Sequence, residues 1–430
     1  MIPSSAVRRL LLALLTCAAV ARAQPATANV PTQGSGLAVA GGGAVTAGIW
    51  LPDFGTPLTG QLLLGAGGGD LAAYSASSFA AATLSNVPSP ADAISVAYGV
   101  PVGGIPRTLV ALSSGGSTLF GTLETGQFVD RTPAVPRVPG GLLALAPTVT
   151  GGALLVTDGF QLTRWELGTD GGAVSPIIGA TLATPESIRS MFLDGVTELA
   201  FLGGNVVGLY AIPGALDAGP AVLLDSAALG GGRIVQPVTG LAVYRGTNVS
   251  YLLVGNSLGI TVYDLAALPS DLAQADLTQF RNSARIFRPQ LPSGTLLTSY
   301  TGLAVTNLPT GSLVKGAVLI GTTGALQVLR WDDLANAGST ALAIDTNYDP
   351  RLGLAADGGP TDGGTDGGTS DGGGGGGGGG GTGGGGNTPN GPGIPIDHGS
   401  GCATTPAGAS TLAAVLVALA LLLPRRRRTL

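Results

Sequence analysis

The chain has 430 residues, of which 74 are Gly, only 10% are charged and 5% are aromatic, a composition that excludes an ordinary soluble helical protein. A single His (His398) and a single Lys (Lys315) leave no stock for catalytic His dyads, multi-histidine zinc sites or Schiff-base chemistry. The formal charge is -5, but Arg8, Arg9, Arg22 and Arg425, Arg426, Arg427 and Arg428 sit in terminal segments expected to be removed. Without those seven, 13 basic residues scattered singly face 25 acidic ones, a charge of -12, which excludes nucleic acid as a partner.

In chain order the first element is a secretory signal at residues 1–23. Arg8 and Arg9 precede the apolar run 10–15, and Ala21-Arg22-Ala23 ends in a small residue before Gln24, so cleavage is expected between Ala23 and Gln24. Lipoprotein processing at Cys17 is the alternative, because Leu14-Leu15-Thr16-Cys17 is lipobox-like.

Residues 24–352 form the body. Short runs of Val, Leu, Thr, Gly and Pro point to β structure. One unit recurs six times: an apolar strand, a turn of small residues, then a second strand ending in an aromatic. The copies start at Leu62, Leu109, Leu154, Leu199, Leu252 and Val318 and close at Tyr74, Phe120, Trp165, Tyr210, Tyr263 and Trp331. A hairpin every ~45 residues matches one propeller blade, and an isolated hairpin cannot bury both faces. The expectation is therefore an all-β, six-bladed β-propeller of four-stranded blades, monomeric, with the closing aromatics packed between neighbours. A β-sandwich or solenoid built from the same hairpins is the alternative. The longer later spacings predict insertions, among them a polar excursion at 268–292.

Residues 353–400 are a Gly- and Asp-rich flexible linker: nothing apolar is present to offset backbone entropy. The last segment, 401–430, carries Gly401-Cys402, a short apolar run at 411–423 and the cluster Arg425 to Arg428. The run is short of the ~20 residues of an ordinary membrane-spanning helix; as a retained transmembrane helix it would leave the arginines in the cytoplasm. This order of Gly-Cys, apolar helix and Arg cluster resembles the myxobacterial C-terminal sorting signal. That resemblance implies removal of the tail by a surface-sorting protease and a membrane anchor through Cys402. With Cys17 removed, Cys402 is the last thiol, so the body has no disulfide to form.

Four stretches of the body resemble the β-propeller phytases. Residues 47–74 resemble a first blade with its Pro-Ala-Ile-Trp segment, and 239–265 the blade with Glu-Gly-Leu-Ala-x-Tyr. Residues 301–337 and 344–351 resemble the closing blade and terminus. The resemblance implies six blades and a Ca²⁺-dependent 3-phytase activity, phytate phosphomonoester hydrolysis, at carboxylates gathered on one face of the channel. It also shows those carboxylates largely replaced. Val45, Thr46 and Ala47 stand for the paired Asp, Thr239 for the Glu, and Thr301 for a further Asp, while Met191 and Phe192 take positions of acids. Glu186 is the one candidate catalytic or metal-binding carboxylate retained, against the 6 to 8 oxygens that Ca²⁺ prefers. Asp332 and Asp333 are expected to cap a helix or turn.

The functional expectation is a secreted protein tethered to the outer cell surface or membrane, whose phytase-like propeller is catalytically degenerate and binds or displays an unknown small-molecule or surface ligand. The alternative is a calcium-dependent 3-phytase, with Ca²⁺ as cofactor if the site is retained.

Overall fold

The computed structural model describes residue 25 and residues 27–354, except 134–136, 169–171, 214–215, 217–218, 230–232 and 340. The expected signal segment with Cys17 and Ala23, Gln24, nearly all of the expected linker, and the tail with Gly401, Cys402 and Arg425 to Arg428 lie outside the described residues. Among the described residues no helix is long and apolar enough to cross a membrane, and the apolar run 411–423 is not among them.

Two short strands, β1 (Thr27–Pro31) and β2 (Leu37–Ala38), precede six sheets. Blade 1 holds β3 (Thr46–Trp50), β4 (Leu62–Ala66) and β5 (Ala72–Ser75). Blade 2 holds β6 (Ala93–Val102), β7 (Ile105–Ser114), β8 (Ser117–Glu124) and β9 (Gln127–Asp130). Blade 3 holds β10 (Leu142–Thr148), β11 (Gly151–Thr157), β12 (Gln161–Gly168) and β13 (Ser175–Ala183). Blade 4 holds β14 (Ile188–Asp194), β15 (Leu199–Gly204), β16 (Gly208–Pro213) and β17 (Val222–Ser226). Blade 5 holds β18 (Gly240–Arg245), β19 (Ser250–Asn256), β20 (Gly259–Asp264) and β21 (Arg285–Gln290). Blade 6 holds β22 (Gly302–Thr306), β23 (Ala317–Thr322) and β24 (Ala325–Arg330).

Each sheet is an antiparallel meander, and the N-terminal strands complete the last two: β1 adds parallel to β21, and β2 pairs antiparallel with β24. The start of the chain thus fastens the ring shut. The expectation of six blades holds, but not that of four strands in each. Blade 1 has three and blade 5 has five, because β1 extends the free edge of β21 before the chain reaches blade 6.

The repeated hairpin of the sequence is the second and third strand of every blade, for example β11 with β12 and β19 with β20. The second strand sits between two neighbouring blades and is buried on both faces, so it reads as a continuous apolar run rather than an alternation. Leu252, Leu253 and Val254 of β19 are all 0% exposed, and each such side chain is worth ~1.5–3 kcal/mol of burial. Turns between strands follow local chemistry. Gly115 and Gly116 adopt φ +55° and +81° between β7 and β8, the positive-φ pair that a two-residue hairpin turn requires.

The core is divided into six clusters, each a seam between two blades. One seam joins Phe201, Leu209 and Leu224 of blade 4 to Leu241, Leu252 and Tyr263 of blade 5. Another joins Leu63 and Ile49 of blade 1 to Leu319 and Val328 of blade 6. Five closing aromatics are buried in these seams: Phe120, Trp165, Tyr210, Tyr263 and Trp331. Tyr74 packs on its seam half-buried.

Residues 268–292 are not the polar excursion expected. They carry a helix, Thr278–Asn282, whose Phe280 is fully buried with its ring stacked on Tyr263 at 4.8 Å, and then β21 itself. Polar residues cover the solvent side, which is what the composition had registered. Asp332 and Asp333 fall in the first turn of the helix Trp331–Ala337, with Arg330 Nε donating to Asp332 at 3.1 Å and Gln33 Nε2 to Asp333 at 3.4 Å. Neither is a side-chain cap; their negative charge suits the positive end of the helix.

Candidate functional site

Six inner strands, β3, β6, β10, β14, β18 and β22, line the central channel. At the end where these strands begin, a cavity of about 60 Å³ is bounded by Thr46, Ala93, Leu142, Arg189, Ser190, Thr239 and Thr301. This is where the resemblance would place metal-binding carboxylates. The hydroxyls found there serve a different purpose. Thr301 Oγ1 donates to the carbonyl of Val45 at 2.8 Å and accepts from its N–H at 3.0 Å, fastening blade 6 to blade 1. Thr46 Oγ1 accepts from Ile94 N–H at 2.9 Å, fastening blade 1 to blade 2, and Ser190 Oγ donates to the Val238 carbonyl at 2.9 Å, fastening blade 4 to blade 5.

The glycine after Thr301 lets the blades come this close. A Cβ on Gly302 would stand 3.0 Å from the Val45 carbonyl oxygen and 3.0 Å from the Ala47 nitrogen. Thr-Gly at the start of β22 is therefore a device for blade packing, in a position that the family resemblance assigns to an acid.

Glu186 spends its carboxylate on backbone amides. It lies in the loop before β14 and accepts the backbone N–H of Val207 at 2.9 Å and of Gly208 at 3.1 Å, and also that of Val206. Its negative charge organises the β15–β16 turn, and it adds to the burial that pushes the Tyr210 phenol up to about 12. Among the described residues no group of three or more His, Cys, Asp or Glu side chains converges as a metal site would require. One carboxylate spent on backbone amides, with hydroxyls spent on neighbouring blades, does not fit a hard cation wanting 6 to 8 oxygens. Arg189, its Nε donating to Asn205 at 3.0 Å, is the charged side chain at this opening. Lys315 is exposed in the turn before β23.

Towards the ends of the inner strands lies a larger chamber of about 190 Å³. Its wall includes Ile49, Leu145, Leu193, Val243 and Val305, and its polar corner is Asp194, Arg245 and Tyr348. Asp194 ends β14 and is 4% exposed. It accepts from Val196 N–H at 3.2 Å and Thr197 Oγ1 at 2.7 Å, and it pairs with the Arg245 guanidinium at the end of β18. Arg245 also donates to Ser250 Oγ at 3.3 Å. The Tyr348 phenol is pushed up by burial, with Arg245 opposing the shift and Asp194 and Asp349 adding to it.

Tyr348 belongs to a strap, residues 341–354, that crosses this end of the ring. Asp345 accepts the N–H groups of Thr247 and Asn248 in blade 5 at 2.8 and 3.2 Å. Asn307 of blade 6 donates to the Tyr348 carbonyl at 2.6 Å. Arg351 grips Asp349 and donates to the carbonyls of Pro52 and Thr56 in the β3–β4 loop of blade 1, at 3.3 and 3.2 Å. At blade 2, a Cβ on Gly99 would fall 2.3 Å from the Gly353 Cα. The strap thus floors the chamber with Tyr348, Pro350, Gly353 and Leu354.

Sequence reading singled out none of Asp194, Arg245 and Tyr348. Asp194-Gly195 reads as a turn, Arg245-Gly246 as a strand end, and Tyr348 as part of a terminus; the ring alone brings them together. No protein-family model matches the chain, and no curated protein matches it significantly.

Proposed function

We propose that this chain is a secreted, surface-tethered propeller of phytase-like type that binds a ligand and has no hydrolytic role. The observation that carries this reading is the use of the polar groups at the narrow opening: Thr46, Ser190 and Thr301 are committed to adjacent blades and Glu186 to backbone amides. Phosphoryl transfer depends on positioned charge that neutralises the phosphate oxygens, and nothing in that set is free to supply it.

In this reading residues 1–23 export the protein and are cleaved after Ala23. Residues 353–400 act as a flexible spacer, and 401–430 as a sorting signal through which a surface protease and a membrane anchor hold the protein at Cys402. The propeller is then a display module whose ligand is a small molecule or a surface group.

The full-length protein, incubated with phytate and calcium in the millimolar range, is expected to release phosphate no faster than buffer. Calcium is also expected to leave its melting temperature unchanged, since a ligand that does not bind the native state cannot stabilise it. Calcium-dependent turnover would replace this reading with the 3-phytase one. For the tether, Cys402→Ala should release the protein from the surface or change the form in which it is held; retention equal to wild type would favour a retained transmembrane helix.

A further inference from the structure

We infer that the wide chamber above the strap is the ligand site, and that its ligand is a compact, uncharged polyhydroxylated molecule the size of one hexose ring. This rests on the binding reading above and specifies it.

Size comes from the cavity. A cavity of about 150 Å³ accepts an unsubstituted six-membered ring, so the 190 Å³ here admits such a ring with its substituents. Neutrality comes from the charges on the wall. Asp194 and Arg245 lie at 5% and 17% side-chain exposure and compensate each other. Tyr348 keeps its proton because burial raises its pKa. A ligand bearing net charge would have to leave water without a counter-charge, at a cost that a neutral ligand avoids.

The polyol character comes from the strand arrangement. All six inner strands are the terminal strands of their sheets, so along the channel side of each, alternate backbone N–H and C=O groups have no strand to pair with. Side chains take some of these groups, Ser95 Oγ accepting from Leu145 N–H at 2.9 Å and the Tyr98 hydroxyl donating to the Ile49 carbonyl at 2.6 Å; the rest of this edge, which no strand covers, offers backbone donors and acceptors between apolar side chains. A ring with hydroxyls on its rim and C–H on its faces matches both. Tyr348 lines the same space, and its hydroxyl takes no hydrogen bond from the described residues. It is the side-chain group most available to a ligand hydroxyl.

The test is saturation-transfer NMR on the full-length protein with D-glucose, D-galactose and D-mannose as neutral probes. Glucose 6-phosphate serves as the anionic arm, and glucosamine at about pH 6, where its amine is protonated, as the cationic arm. At least one neutral hexose should bind, and both charged analogues about tenfold or more weakly. Tyr348→Phe, which removes only the hydroxyl, should weaken the hexose about fivefold. Leu354→Trp, which fills the floor from the end of the strap, should abolish binding, with an unchanged circular dichroism spectrum as the check on folding. Failure of all three hexoses to bind, binding of glucose 6-phosphate as tight as that of the hexose, or unaltered binding in both variants would each overturn the assignment. Phosphate release from phytate in the same samples would refute the non-catalytic reading while leaving the chamber assignment standing, because that chemistry belongs to the opposite opening.

Discussion

The rings of Tyr244 and Trp331 lie face to face, with centroids 3.7 Å apart and planes 6° from parallel. Tyr244 belongs to the innermost strand of blade 5 and Trp331 opens the helix that follows blade 6, so one stack spans the seam. The Tyr244 hydroxyl reaches further, donating to the Asp345 carbonyl and accepting from its N–H, each at 3.0 Å. The same residue therefore couples a blade seam to the strap. Trp331→Ala should cost ~3–5 kcal/mol through loss of a fully buried ring. Tyr244→Phe keeps the stack and leaves the Asp345 backbone without its partner, for ~1–3 kcal/mol. Urea denaturation measures both, and a Trp331→Ala loss no larger than that of Tyr244→Phe would contradict this division.

Arg351 is 8% exposed and holds the strap to the loop after β3. Arg351→Ala removes both carbonyl contacts and strands Asp349. Amide hydrogen exchange over 344–354 should then speed up, while the central strands β11 and β19 stay protected. Exchange in the strap equal to wild type would mean that Asp345 and Asn307 suffice to hold it.

Two carboxylates should titrate against stability with opposite signs. Burial raises the pKa of Asp225, which is 0% exposed, against the opposing hydrogen bond from Tyr263 at 2.9 Å and the charge of Arg233. The folded state then holds this proton more tightly than the unfolded one, so the contribution is complete below the unfolded value of ~3.9 and is lost as pH rises through the folded pKa. At Glu124 burial also pushes upward, but hydrogen bonds from Thr122 and Arg131 and the charges of Arg107 and Arg131 outweigh it and lower the pKa. Its contribution is present above the unfolded value of ~4.3 and is lost as pH falls through the folded pKa. The stability difference between Asp225→Asn and wild type should therefore shift toward the variant with rising pH, and that between Glu124→Gln and wild type should shift toward wild type. Parallel slopes in a pH series of denaturant melts would sink the argument. Asp225→Ala removes the carboxylate that pairs with buried Arg233 and accepts from the Tyr263 hydroxyl, and should cost ~3–5 kcal/mol at neutral pH.

Glu186→Gln is expected to lower stability by ~1–3 kcal/mol, since an amide oxygen replaces a charged acceptor at the amides of Val207 and Gly208. Calcium response should be the same in variant and wild type. A calcium-induced rise in melting temperature seen in wild type and lost in Glu186→Gln would show that the carboxylate serves a cation after all.

Thr301→Val removes the hydroxyl that bonds both backbone groups of Val45 and adds no bulk. It should destabilise the ring by ~1–3 kcal/mol and raise hydrogen exchange selectively at Val45 and its neighbours in β3. Protection at Val45 undiminished in the variant would remove the claim that these hydroxyls close the ring.

Blade number was determined by the chain locally. A strand pressed between two sheets must be apolar on both faces, so the six central hairpins announce themselves as runs ending in Tyr74, Phe120, Trp165, Tyr210, Tyr263 and Trp331, whatever lies around them. Tertiary structure alone decided how the ring closes and what its polar residues do. Leu37–Ala38 and Thr27–Pro31 are too short to declare a partner, and they find β24 and β21 only once six blades have come round. The 268–292 segment looked like an excursion because its solvent side is polar, and only packing against Tyr263 shows Phe280 to be core. Glu186 and Thr301 read as remnants and losses of a metal site; their partners, a turn and a neighbouring blade, are set by three-dimensional proximity. The pair Asp194 and Arg245 spans 51 residues of sequence, and no local pattern encodes it, because the energy that brings the two together is spent in the apolar seams of the ring.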